Sequence, residues 1–151
     1  MNDAVVLFRL RQFLLVVSAL LFVGTLVELW LTNHMETFVQ LIPFALCGLG
    51  LIAVGAALLS PRRAALLALR ALMALVALGS FFGVYQHLAG NLGFHRELHP
   101  NASNGELLSG ALGGANPLLA PGILALTAAL ALAATYYHPA LQAKGSEGER
   151  E

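Results

Sequence analysis

The residues that could do chemistry gather at three places. Glu28, His34 and Glu36 lie at the end of a first apolar run, and His87 near the end of a third. His95, Glu97, His99 and Glu106 follow in the stretch after it. His95 and His99 are spaced i, i+4, so one helical turn puts both imidazoles on one face. With Glu97 or Glu28 they make the two-histidine, one-carboxylate set that suits zinc or non-haem iron. His34 and His87 complete a candidate metal set of His34, His87, His95, Glu97 and His99. The chain has neither a second spaced histidine pair nor an HExxH signature. The plainer reading has these histidines bonded to backbone, to Glu97 or to Arg96. Haem would need two ligands facing each other across the fold, and only His87 with His34 offers that.

Glu28 and His87 sit deepest in apolar sequence. A carboxylate at such depth must find a partner, take up a proton or bind a cation. His87 is its nearest partner by depth. The expected ligand or proton site is therefore Glu28, His87 and Asn91, with Glu36 and Gln40 beside them. The competing reading is a purely structural bond from Glu28 to His87, Asn91 or loop backbone. No nucleophile stands beside a base, and no phosphate-binding or dinucleotide loop is present.

The elements that carry these residues are apolar. Of 151 residues, 58% are hydrophobic and 11% charged, against about 25% charged in soluble domains. The apolar blocks have the length of about 20 residues that a hydrocarbon core demands. The sequence thus predicts an all-α integral membrane protein. It is a four-helix bundle with a long outward-facing loop carrying a short helix. The segments are expected at about 12–31, 38–59, 62–89 and 118–137, with the loop at 90–116, all in one domain over 1–141. Residues 142–151 read as a disordered cytoplasmic tail.

Gly79, Gly83, His87 and Asn91 recur every four residues with Ser80 alongside, so they share one side of the third segment. Glycines at that spacing let a neighbouring helix approach, which turns His87 inward. The first segment, preceded by Arg9 and Arg11, reads as an uncleaved anchor that starts at Asp3 as N-cap, not as a signal peptide. Ser18, Thr25, Glu28 and Thr32 share one of its faces. Pro43 interrupts the second segment and frees a carbonyl. Ser60-Pro61 is expected to cap and start the third. Arg70 is expected to reach the inner interface. Ser103-Asn104-Gly105-Glu106 has capping-box spacing, which predicts a short helix over 104–112.

An inside N-terminus leaves Arg9, Arg11, Arg62, Arg63, Arg70, Lys144 and Arg150 inside and only Arg96 outside. The positive-inside rule therefore favours a cell inner membrane with both termini cytoplasmic. The single cysteine, Cys47, excludes an internal disulfide and argues against electron relay through cysteine pairs. Zero net charge and thinly spread Lys and Arg argue against nucleic acid. The expected partner is the lipid bilayer, with a second membrane protein or another copy of the chain as further candidates. Three functions remain open. The first is an outer-rim site for a cation, metal or small polar ligand. The second is a non-catalytic accessory or assembly subunit. The third, a proton-coupled transporter, is disfavoured because the inner half has almost no buried polar residue besides Thr127.

Overall fold

The computed structural model describes residues 2–142. The chain forms α1 (Asp3–Leu31), α2 (Phe38–Leu59), α3 (Arg63–Leu98), α4 (Asn104–Leu112), α5 (Gly122–Ala134) and α6 (Pro139–Gln142). The described residues are all-α. Three helices, α1 to α3, are each long and apolar enough to cross a membrane. α1 and α3 each contact both α2 and α5, so four helices close into a ring, and α4 lies against α3.

The ring encloses one core. Phe22 of α1, Cys47 and Val54 of α2, Leu69, Met73 and Val76 of α3, and Ala128 and Ala131 of α5 have no exposed surface. Small residues set how closely the helices approach. A Cβ on Gly50 would fall 2.5 Å from the Phe22 ring, and one on Gly79 would collide with Leu46. Ser18, Thr25 and Thr127 are buried. Their hydroxyls donate to the carbonyls one turn back: Leu14 at 2.8 Å, Leu21 at 2.9 Å and Ile123 at 2.7 Å. Of the polar face expected on α1, Ser18 and Thr25 pack against the neighbouring helices with their hydroxyls satisfied, whereas Glu28 and Thr32 are exposed.

Several boundaries differ from expectation. α3 continues to Leu98, nine residues past the expected end at 89. Gly90-Asn91 reads as a helix stop, but the Asn91 side chain bonds across to other segments and α4 packs on the added turns. The true loop on either side of α4 is correspondingly shorter. Ser60 ends α2 and does not cap α3; its N–H donates to Ala56 at 2.9 Å, and Arg62 occupies the α3 N-cap. Asn2, not Asp3, caps α1, its side chain accepting from the Ala4 N–H at 3.1 Å. The capping box at Ser103 and Glu106 starts α4 where expected.

The fourth segment departs most. Only Gly122–Ala134 is α-helical, about 20 Å at 1.5 Å per residue, short of a hydrocarbon core of about 30 Å. Tighter turns extend it at both ends. The N–H groups of Ala120, Gly122, Ile123, Leu124, Thr135, Tyr136 and His138 each donate to the carbonyl three residues back. Pro117 and Pro121 cause this at the front, since neither has an N–H for a regular ladder. At the back Tyr137 adopts φ 48°. Of the stretch expected as a tail, Gln142 ends α6, and the remainder lies outside the described residues.

Candidate functional site

Side chains of α1 and α3 hold both ends of α5. Pro121 cannot donate to the carbonyl of Pro117, and His87 Nδ1 does so instead at 2.9 Å. The Ser80 hydroxyl donates to the Pro121 carbonyl at 2.6 Å. Asn91, 3% exposed, clamps the next stretch. Its amide donates to the carbonyls of Ala111 at 3.0 Å and Asn116 at 2.9 Å, and its oxygen accepts from the Asn116 N–H at 2.9 Å. Gly83 lets the segment approach, since a Cβ there would come 2.9 Å from Pro121. The stripe of Ser80, Gly83, His87 and Asn91 thus faces inward as its spacing requires, and what it meets is irregular backbone.

At the far end arginines play the same part. Arg11 donates to the carbonyls of Tyr136 at 3.3 Å and Tyr137 at 3.1 Å, and Arg63 to Leu141 at 3.0 Å. Arg70 reaches the buried Thr135 hydroxyl at 2.9 Å. Backbone groups left outside a regular helical ladder need other partners, and these bonds supply them. Burial and the neighbouring Arg11 hold the His138 imidazole below its ordinary pKa.

Beside the His87 anchor a cavity of about 640 Å³ opens among the Glu28 end of α1, the start of α2, the middle of α3 and residues 116–124. Glu28, His34, Gln40, Gln86, His87 and Asn116 give it polar atoms. Pro43, Leu46, Phe82 and Leu124 give it apolar wall. Because His87 Nδ1 donates to Pro117, the neutral ring presents Nε2 as a free acceptor. His34 stands 6.4 Å from His87, ring centre to ring centre. Burial, and secondarily the nearby His87, push the His34 pKa down; Glu36 pulls weakly the other way.

Glu28 and His87 therefore line one cavity, as a joint site requires. Gln40 lines it as well, but its side-chain oxygen is already taken. It accepts from the N–H groups of Glu36 at 2.7 Å and Thr37 at 3.0 Å, capping α2. Glu36 is exposed and lies outside the lining. Asn91 also lies outside it and serves the loop. Sequence reasoning passed over Gln86 and the carbonyl-rich 116–121 stretch. Gln86 sits i+3 from Gly83 on the same side of α3, and the Pro117–Pro121 spacing marks the freed carbonyl.

The expected metal set does not assemble. The His95 and His99 rings lie 4.7 Å apart, tilted at 50°, beside a surface groove of about 720 Å³ that also includes Glu106. His34 and His87 belong to the cavity instead. Glu97 is two residues from His95, so helical geometry turns it away, and it is exposed. Glu106 is engaged by the Ser103 N–H and hydroxyl, both at 2.8 Å, which hold its carboxyl below the usual range. Among the described residues, no group of three or more His, Cys, Asp or Glu could hold a metal ion. The zinc or iron reading loses its geometric basis.

Fold and site together define an all-α protein with three membrane-length helices and a cavity opening beside a glutamate and two histidines. The chain matches no protein-family model, no curated protein and no solved structure, so its chemistry has to be read from its own residues.

Proposed function

We propose that the chain is a multi-pass membrane protein that binds a small organic ligand in the cavity between Glu28 and His87. Its volume of about 640 Å³ falls within the 300–1,000 Å³ or so of small-molecule sites, which combine apolar walls with a few placed polar groups. The carrying observation is that the two ionisable groups deepest in apolar sequence line this one space. Both termini lie on the cytoplasmic side of an inner membrane in this reading. Support comes from Arg11, Arg63 and Arg70, which gather at the end of the fold remote from the cavity, as the positive-inside rule favours. The ring of four helices spans the bilayer, the shorter α5 being completed by its tightened ends. Lipid covers the exposed apolar faces.

Native mass spectrometry of protein extracted from its own membranes tests the reading, comparing wild type with Ala120→Phe. Ala120 is half-buried and lines the cavity, so the larger side chain fills the space. A small molecule retained by wild type and lost from the variant supports ligand binding. Equal retention in both, or none in wild type after incubation with a membrane extract, overturns it.

A further inference from the structure

We infer that the cavity takes an organic cation, an ammonium-bearing molecule with an apolar body, whose charge rests against Glu28 and whose N–H reaches His87 Nε2. The inference rests on the binding reading above and names the chemical class.

Three features of the lining point the same way. First, among the described residues Glu28 is the one carboxylate that lines the cavity, and neither Lys nor Arg lines it. Arg11 and Arg70 are engaged at the opposite end of the fold. An anionic ligand would meet the Glu28 carboxylate with no cationic side chain of the lining to offset it.

Second, the groups beside Glu28 are acceptors. The Thr25 hydroxyl spends its proton on the Leu21 carbonyl at 2.9 Å, and the Thr32 hydroxyl on the Glu28 carbonyl at 2.8 Å. Both line the cavity with lone pairs only. His87 Nδ1 is committed to Pro117, leaving Nε2 to accept. Burial lowers the His34 pKa, which disfavours a competing positive charge there near pH 7. The amides of Gln40, Gln86 and Asn116, the Thr37 hydroxyl and one ring N–H of His34 are the side-chain donors that remain. A ligand that donates and carries positive charge satisfies the acceptors around Glu28 and His87; one that only accepts does not.

Third, the opposite wall is apolar. Pro43 and Leu46 of α2, Phe82 of α3 and Leu124 of α5 form it. A bare inorganic cation would leave this wall and most of the volume unused. An aromatic or alkyl body would cover it while the carboxylate holds the head group.

The test uses three probes of one shape: 3-phenylpropylammonium, 3-phenylpropanol and 3-phenylpropanoate. Each is titrated against the full chain in neutral detergent at pH 7, with ligand NMR line widths as the readout and protein-free micelles as the blank. Wild type, Glu28→Gln, Glu28→Asp and Ala120→Phe are compared, after circular dichroism and size exclusion show each to be folded. The expected result is saturable binding of the ammonium, roughly five- to tenfold tighter than the alcohol, with the anion weakest. Glu28→Gln brings the ammonium down to the alcohol's affinity, Glu28→Asp restores part of it, and Ala120→Phe abolishes both. If the alcohol or the anion binds as tightly as the ammonium and Glu28→Gln changes nothing, while Ala120→Phe still blocks, the cation inference is overturned and the cavity reading survives. If no probe saturates, or Ala120→Phe leaves binding intact, both fall.

Discussion

Replacing Asn91 by Ala removes three hydrogen bonds at once. Two are donated by its amide to the carbonyls of Ala111 and Asn116, and one is accepted from the Asn116 N–H. A typical bond contributes about 1 kcal/mol net, so their sum is about 3 kcal/mol. The site is nearly sealed, with Asn91 3% exposed, so water replaces the lost partners poorly. For a chain of this size that loss lowers Tm by roughly 6 to 12 °C. The effect is also local. Asn91 ties the last turns of α3 to both sides of the 113–116 turn, so α4 and the cavity wall at 116–121 loosen together. Asn91→Asp is the sharper variant. It keeps the acceptor for Asn116 but sets a second oxygen against two carbonyls; protonation at low pH restores one donor. Hydrogen–deuterium exchange of the folded protein in detergent reads the outcome. Amides over 104–121 should exchange much faster in Asn91→Ala, while the core of α2 changes little. Asn91→Asp should match Asn91→Ala at neutral pH and recover partly on acidification. Unchanged protection over 104–121 in Asn91→Ala would refute the account of Asn91 as the loop clamp.

Three further outcomes are expected. His34 titrates below its unfolded value of about 6.5, so an undocked 32–37 turn binds the proton first. The docked turn therefore loses stability as pH falls below about 6.5 and is indifferent above it. Exchange over 32–37 measured from pH 7.5 to 5 should show this, and His34→Gln should flatten it; a profile unaltered in His34→Gln contradicts the assignment. Arg70→Ala should cost about 1–2 kcal/mol through the Thr135 bond. In a double-mutant cycle with Thr135→Val the two losses should overlap by about 1 kcal/mol, and full additivity would mean the bond contributes nothing. Gly50→Ala should destabilise by about 1–3 kcal/mol through overpacking against Phe22. Phe22→Leu should relieve much of that loss in the double variant, and no relief would place the strain elsewhere.

The sequence by itself determined that the chain is helical, that its long apolar blocks are membrane-length, and that the glycine and polar stripe of the third block faces inward. These follow from periodicity and from the cost of polar groups in an apolar setting, which are local properties. The capping box at Ser103 was legible for the same reason. The tertiary structure alone decided what each polar side chain meets. Asn91 looks like a ligand contact along the chain but bonds backbone instead, because the loop after α4 brings unpaired carbonyls and an N–H to it, whereas Gln40 is taken up locally by the capping box with Thr37. α3 runs past Gly90-Asn91 because α4 packs on its last turns, a contact between segments that no local signal encodes. The four candidate histidines divide between a cavity and a surface groove because the α1–α2 connection carries His34 to His87, and helix phase leaves Glu97 in neither. The proline spacing of the fourth segment reveals that carbonyls are freed. Only the packed ring shows that His87 and Ser80 answer them, and that the space left beside them is bounded by Glu28.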